Sequence, residues 1–275
     1  MVKNYKKVPL VSVIMGVYNC DSGNMLIKSI QSILNQTFQD FEFIICDDAS
    51  NDKTYEILQK FSEDPRVIII RNENNLGLAS CLNKCLAIAK GKYIARQDAD
   101  DYSDKDRIRL QIEFMECNST YDLIGSNLRY FNDKEIWGQY SLPQFPENRD
   151  FLFTVPFIHA TVIFKAESIR KLGGYREGKI TRRCEDYDLF MRMYSAGMRG
   201  TNIQEYLYFV REDEAAQKRR KYRYRLDETR IRINGYRKLG LLPIGVLYAL
   251  KPLVVGLIPD SVLQKLKDYY YKRRS

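Results

Sequence analysis

Between residues 11 and 101, short apolar runs alternate repeatedly with helix-spaced segments, and this alternation restricts the fold more than any other feature of the chain. Apolar runs of strand length separated by amphipathic helices are the mark of an α/β domain built on a parallel sheet. Val11 to Val17 reads as the first strand, followed by a helix whose Ile27, Ile30, Ile33 and Leu34 share one face. Phe41 to Cys46 reads as strand two, with a helix through Tyr55, Leu58 and Phe61 behind it. Val67 to Ile70 is the third strand, Leu78 to Ala89 a helix, and Tyr93 to Ala95 the fourth strand. Lys3, Lys6 and Lys7 ahead of an apolar run imitate a secretory leader. Asn19-Cys20-Asp21 offers no small-residue cleavage site, however, and the run reads better as a buried strand.

Ligands of such sheets bind outside the carboxyl ends of the strands. Two acidic turns fall there: Asp47-Asp48-Ala49-Ser50 after strand two and Asp98-Ala99-Asp100-Asp101 after strand four. The first is either an ordinary Asx-rich turn or a set of acceptors for a nucleobase imide and ribose hydroxyls. The second either caps the next helix or holds a hard divalent cation, Mg²⁺ or Mn²⁺, that shares its shell with substrate phosphates. Ser103 is expected to cap a helix from Asp104 to Cys117. Tyr121 to Ser126, Leu128 to Phe131 and Ala160 to Phe164 are candidate strands, and Tyr187 to Ala196 a candidate helix. Glu185-Asp186 opens that last helix. Acids belong there through the helix dipole alone, and a carboxylate there also suits a general base.

Charge divides the chain. From Arg211 onward there are 17 Lys/Arg against 7 Asp/Glu, a net of +10, while the whole chain carries +9. Residues 218–238 read as a basic amphipathic helix with Tyr222, Leu226, Thr229, Ile233 and Tyr236 on one stripe. Leu241 to Ile258 is nearly all apolar but holds Pro243, Lys251 and Pro252, which makes a membrane span marginal. Val262, Leu263, Leu266, Tyr269 and Tyr270 form a further stripe among basic residues. The tail is expected to lie on an anionic membrane surface, with a helical lid on the catalytic part as the alternative. The six cysteines make no CxxC pair, and His159 is the single histidine, which argues against zinc. Cys81 and Cys85 read as small buried thiols, suited to a reducing compartment.

Taken in order, VSVIMGVYN (11–19), QSILNQTF (31–38), IICDDASNDKT (44–54), NLGL (75–78) with Asn83, GKYIARQDADD (91–101), PFIH (156–159), GGY (173–175) and EDYDL (185–189) resemble the family 2 glycosyltransferases. The resemblance covers residues 8–211. It implies the GT-A fold, a Rossmann-like nucleotide-binding α/β sheet fused to an acceptor-binding half, over a domain of residues 1–211, with a helical, basic and amphipathic tail at 212–275. It implies a UDP-sugar donor held by Tyr18, Asp47, Asp48, Asn83 and Asp98, and Mn²⁺ or Mg²⁺ on Asp100 and Asp98 of a DXD motif. Asp186 matches the base of an inverting displacement, with Glu185 beside it. His159 either stands near the diphosphate or acceptor or is structural, paired to a backbone group. The acceptor implied is a glycan, for instance a lipid-diphosphate-linked one of O-antigen, capsule or exopolysaccharide synthesis, at the cytoplasmic face of the plasma membrane. Nucleic acid is not expected as a partner.

Two positions depart from the family pattern: Ala49, where glycine is commoner, and Gln97, where an apolar residue is usual. A sugar-nucleotide pyrophosphorylase would need a Gly-rich, Arg-containing loop after strand one, which Gly16-Val17-Tyr18-Asn19 does not supply. A purely binding module for nucleic acid or anionic lipid would show its aromatics on a sheet face among arginines rather than on helical stripes.

Overall fold

The computed structural model describes residues 8–20, 24–211, 222–258 and 262. One mixed sheet organises the chain. Strands β1 (Val11–Val17), β2 (Phe41–Asp47), β3 (Val67–Arg71) and β4 (Tyr93–Arg96) form its parallel half in the order β3-β2-β1-β4. Beyond β4 the sheet turns antiparallel through β8 (Ile163–Lys165) to β6 (Leu123–Phe131). It ends with β9 (Gly200–Arg211) and the two-residue β5 (Tyr102–Ser103), while β7 (Ile136–Tyr140) pairs with β6. Helices α1 (Met25–Leu34), α2 (Thr54–Gln59), α3 (Leu78–Ile88) and α4 (Arg107–Cys117) accompany the first half, and α5 (Ala166–Lys171) and α6 (Glu185–Ser195) the second.

The apolar runs are continuous because both sheet faces are covered. The period of two along β1 sends Val11, Val13, Met15 and Val17 into one core with Ile30 of α1 and Ile112 of α4. Ile14 goes into the other core with Cys81 and Leu82 of α3 and Phe190 of α6. At Gly16 a Cβ would stand 2.9 Å from Leu78 Cδ1 and 3.0 Å from Cys81 Cβ, so glycine there lets α3 lie directly on β1. The chain proceeds β1→β2→β3 to one side and then places β4 on the other side of β1. The crevice between the carboxyl ends of β1 and β4 is therefore a topological switch point, the preferred ligand site of open α/β sheets.

Several local expectations are corrected. Ser103 does not cap a helix: it lies in β5, its hydroxyl donates to Gln97 Oε1 (2.7 Å), and α4 begins only at Arg107. The two strands expected at 121–131 are one continuous strand, and most of 160–162 is a short turn before β8. The basic helix is α7 (Tyr222–Lys238), but its buried positions are Asp227, Thr229, Ile231, Arg232, Gly235 and Tyr236. Tyr222 and Leu226 stay exposed, because α7 packs against α6 on one side and two short C-terminal helices on another. Those two, α8 (Gly245–Ala249) and α9 (Lys251–Val255), are the broken form of the apolar segment, and no described helix is long and apolar enough to cross a membrane. The stripe expected at 263–270 lies outside the described residues. None of the six cysteines is in a disulfide, and Cys81 and Cys85 are buried as expected.

Candidate functional site

Three segments meet around the switch point. At the end of β2, Asp48 is buried and its carboxylate accepts three bonds, from Asn72 Nδ2 (2.7 Å), Leu76 N (2.9 Å) and Gly77 N (2.8 Å). A carboxylate offers about four lone-pair positions, so Asp48 fixes the loop before α3 and keeps capacity for about one further donor. Asp47 accepts from Ser50 N (3.2 Å), and Arg71 Nε stands 3.0 Å from its Oδ2, out of line for a hydrogen bond. Ala49 has φ +59°, the left-handed conformation for which glycine is the usual solution. Asn19, itself at φ +47°, ties the β1 and β2 loops together by accepting from Asn51 N and donating its own N–H to Ser50 Oγ, both at 3.0 Å. Beside it Tyr18 presents an exposed ring at the rim.

At the end of β4 the acidic turn rests on a buried polar frame. Gln97 is fully buried and satisfied: its amide nitrogen donates to Ser29 Oγ (3.1 Å) and to the carbonyls of Asp98 (3.1 Å) and Asp101 (3.3 Å), and its oxygen accepts from Ser103. This is why a polar residue is accommodated where an apolar one is usual: it braces the turn from beneath. Arg96, also fully buried, donates to Asp98 Oδ1 (2.5 Å) and to the Gln97 carbonyl, and its Nε has no partner among the described residues. Burial opposes the guanidinium's charge, but Asp98 and the hydroxyls of Tyr175 and Tyr208 more than offset it and hold its pKa above the ordinary value. Asp98 N donates to Tyr208 Oη (3.0 Å).

The three aspartates are set apart by exposure. Asp100 is exposed and Asp98 partly so, whereas Asp101 is buried and accepts from Arg211 N (2.8 Å). Burial and the charges of Asp100 and Asp98 push the Asp101 carboxyl well above the usual range. Among the described residues no three His, Cys, Asp or Glu side chains converge into a closed metal cage. The exposed Asp100 and the partly exposed Asp98 are instead the carboxylates that could offer oxygen to a hard Mg²⁺- or Mn²⁺-type ion shared with a substrate.

The third segment is the start of α6. Arg183 at φ +71° turns the chain sharply into Cys184, and Glu185 and Asp186 follow in the first turn. Tyr187 N donates to Asp186 Oδ1 (2.8 Å). Part of Asp186 still faces solvent, yet the protein around it dominates: burial, then the adjacent Glu185 charge, lift its pKa to about 7. Burial likewise raises Glu185. Asp188, two residues on, is not part of this site, because Arg176 (2.9 Å) and Arg192 (2.6 Å) bind its carboxylate.

A clasp joins these segments. Asn83 on α3 grips the 173–177 loop, accepting from Tyr175 N (2.9 Å) and donating to the Tyr175 carbonyl (2.9 Å) and Glu177 Oε1 (2.8 Å). Gly174, at φ +69°, leaves room for it: a Cβ there would stand 2.6 Å from Asn83 Oδ1. His159 Nε2 pairs with Tyr175 Oη at 2.8 Å, a side-chain partner rather than a backbone one. Burial, then the Arg96 charge, push the imidazole well below its ordinary pKa, so it is neutral at physiological pH. The buried Tyr175 hydroxyl, raised by burial, also senses Arg96, Asp186, Glu185 and Asp98 together. The structure thus gathers the DXD carboxylate, the candidate base and His159 around Tyr175 and Arg96. Sequence reading passed over Arg96 and Tyr208. A charged side chain inside an otherwise apolar strand was the available signal for Arg96.

Comparison with known proteins settles the family and the fold. The model of "Glycosyl transferase family 2" matches residues 12–173. EpsE of Bacillus subtilis (strain 168), a glycosyltransferase by its name, is 40% identical over 268 residues, covering 97% of this chain and 94% of that protein. The Escherichia coli UDP-Glc:alpha-D-GlcNAc-diphosphoundecaprenol beta-1,3-glucosyltransferase WfaP is 35% identical over 203 residues, 73% of this chain and 77% of its own. Among solved structures, S. aureus TarS 1–349 in complex with UDP-GlcNAc superposes with a TM-score of 0.70 at 19% identity over 88% of this chain and 72% of that one. The mannosyltransferase PcManGT from Pyrobaculum calidifontis, in complex with GDP-Man and Mn²⁺, gives 0.61 at 18% identity over 96% and 81%. The chain has the GT-A fold and belongs to glycosyl transferase family 2.

Proposed function

We propose that this glycosyltransferase moves a sugar from a UDP-sugar to a hydroxyl of a glycan acceptor by one inverting displacement, with Asp186 as the base. The observation that carries the reading is Asp186 itself: a half-open carboxyl tuned to about 7, beside the same buried Arg96–Tyr175 core that braces Asp98. A base poised near the working pH removes a proton from an attacking hydroxyl most effectively. Glu185 keeps the site acidic and supports the raised pKa.

The donor would lie across the switch point. Tyr18 offers a ring face for the uracil, the spare capacity of Asp48 an acceptor for its imide N–H, and Asp47 and Asp98 acceptors near the ribose. Asn83 serves this site through the loop it clasps, and the neutral His159 orients the Tyr175 hydroxyl from beneath. Asp100, with the partly exposed Asp98, would hold Mn²⁺ or Mg²⁺. When bound, such an ion neutralises charge on the departing diphosphate as a Lewis acid. The support for a cation is the exposed Asp100 beside the partly exposed Asp98, together with the Mn²⁺ named for PcManGT.

The acceptor fits a lipid-linked glycan at a membrane surface. The E. coli relative acts, by its name, on a diphosphoundecaprenol-linked sugar. In this chain Ile244, Leu247, Val254 and Leu257 on and around α8 and α9 are each more than half exposed, and no Asp or Glu occurs from residue 229 to 259. Exposed aliphatic side chains without acidic neighbours suit a tail lying in an anionic bilayer interface.

Calorimetric titration of nucleotide sugars, with and without Mn²⁺, into the wild type and Asp100→Ala tests the donor and cation assignments. Mn²⁺-dependent binding of one UDP-sugar, lost in the variant, is the expected result. Binding that is indifferent to Mn²⁺ and to Asp100 would remove the cation from the reading.

A further inference from the structure

Behind the candidate base lies a second cavity, of about 410 Å³, enclosed by the 176–181 loop, α6 and α7. Asp188, Met191 and Arg192 form its α6 wall. Asp188 and Asp186 are two residues apart, about 200° around the helix, so the cavity and the base open on opposite sides of the first turn. Ile231, Asn234, Gly235 and Lys238 form the α7 wall, at the 3-1-3 spacing of one helical face. Glycine at 235 brings the helices together, since a Cβ there would stand 2.1 Å from Met191 Sδ. The acceptor hydroxyl that meets Asp186 cannot reach it from this cavity, so its lining needs a separate explanation.

That lining has two parts. Met191 and Ile231 are buried apolar walls, and Ile180 adds a half-exposed aliphatic edge. The rim is cationic. Asp188 is shared by Arg176 and Arg192, and Glu177 is taken up by Asn83. Lys179 and Lys238 make no ion pair among the described residues. Four cationic side chains against two carboxylates leave a net of +2 around an apolar floor. Such a lining matches a ligand that is anionic at one end and aliphatic at the other. Lys238 is followed within six residues by the exposed side chains of Leu242 and Ile244, so the rim runs on into the apolar tail surface.

We propose that this cavity binds a phosphate-bearing amphiphile: the phosphate on Arg176, Lys179 and Lys238, and the first carbons of the chain against Ile180, Met191 and Ile231. Its wall, the 176–181 loop, leads directly into Arg183 and the base, and its other end is held by Asn83 and Tyr175. A ligand there orders the segment that positions Asp186. The phosphate could belong to a prenyl diphosphate or to a membrane phospholipid headgroup.

The test is calorimetry on the full chain in EDTA, so that any metal-dependent diphosphate site stays unused, with farnesyl diphosphate, inorganic pyrophosphate, farnesol and dihexanoyl phosphatidylglycerol as probes. Farnesyl diphosphate is expected to bind at least about tenfold more tightly than pyrophosphate or farnesol. Lys179→Glu/Lys238→Glu is expected to weaken it by about tenfold or more, and Asn234→Trp, which fills the cavity from an exposed position, to block it. Both variants should retain UDP-sugar binding with Mn²⁺, which separates failure here from failure of the donor assignment. Binding of farnesyl diphosphate alone assigns the site to a prenyl diphosphate, and binding of both lipids assigns it to phospholipid headgroups as well. Pyrophosphate binding as tightly as farnesyl diphosphate, or farnesyl diphosphate binding unchanged in both variants, overturns the proposal.

Discussion

Replacing Asp186 by Asn should move activity and stability in opposite directions, and the structure gives the size of both. The carboxyl titrates at about 7 when folded, against 3.8 for an ordinary Asp. The folded state therefore binds a proton that the unfolded chain has lost across that interval. Stability from this group is fully present below the ordinary value and is lost as pH rises through 7. A shift of about three units corresponds to about 4 kcal/mol, an upper bound because solvent reaches one side of the group. Asn carries the shape without the charge, so the variant should be about 1–3 kcal/mol more stable than wild type at pH about 8, or about 2–10 °C in Tm. The advantage should vanish at pH about 4. Turnover should fall by about 10²–10⁴, the usual worth of a general base, while UDP-sugar binding persists. Wild-type kcat/KM should drop about tenfold per pH unit below 7. Paired thermal melts and initial rates across pH read both effects. Equal stability of variant and wild type at every pH would refute the raised pKa, and undiminished turnover would refute the base.

Three further outcomes depend on single side chains. Ala49→Gly should raise stability by up to about 1 kcal/mol, measured by calorimetry, because Gly relieves the left-handed backbone strain at the expense of unfolded-state entropy; a loss of stability would contradict the φ of +59°. Arg96→Lys keeps the charge but not the fork that grips Asp98 and the Gln97 carbonyl, so the Mn²⁺ concentration for half-maximal activity should rise about 10–100-fold with the fold intact by circular dichroism; an unchanged requirement would separate Arg96 from the acidic turn. Leu247→Glu/Val254→Glu should reduce flotation with phosphatidylglycerol-rich vesicles by about 100-fold or more; unaltered flotation would free α8 and α9 from membrane contact.

The parallel half was legible because its signals are local. Both faces of β1, β2 and β4 are buried and the edge strand β3 is half-buried, so these strands read as largely apolar runs, and β1 emerged at Val11–Val17 as read. The acidic turns were placed correctly because strand ends dictate where they fall. The antiparallel half was harder. β9 pairs with β6 across a long sequence separation and carries exposed polar residues, so nothing local distinguishes it from a loop. Ser103 looked like a helix cap because Ser with an acid three residues on, here Asp106, is a capping pattern. A tertiary partner, Gln97, claimed its hydroxyl instead. On α7 the stripe holds at Thr229, Ile233 and Tyr236 but fails at Tyr222 and Leu226, while Arg232 and Asp227 are buried through partners that periodicity cannot see, among them Glu228 at 2.8 Å from Arg232.

The same limit explains why the candidate site was read mainly as carboxylates, with Tyr18, Asn83 and His159, and not as the frame behind them. Asp98, Asp100 and Asp186 announce themselves by type and by position at element ends. The contacts that decide how each behaves are less visible: Arg96 grips Asp98, Arg211 N–H takes Asp101, and burial beside Glu185 lifts Asp186. Identical side chains in one sequence cluster thus end in different states, one exposed, one half-held and one buried. The difference comes from residues two to more than a hundred positions away. Asn83 shows the point from the other direction. Its motif position marks it as a donor-binding candidate, yet its amide holds the Tyr175–Glu177 loop in place, so a contribution to a donor would run through the backbone it fixes. A motif therefore nominates residues for the candidate site, and the packing around them decides which of their atoms remain available to a ligand.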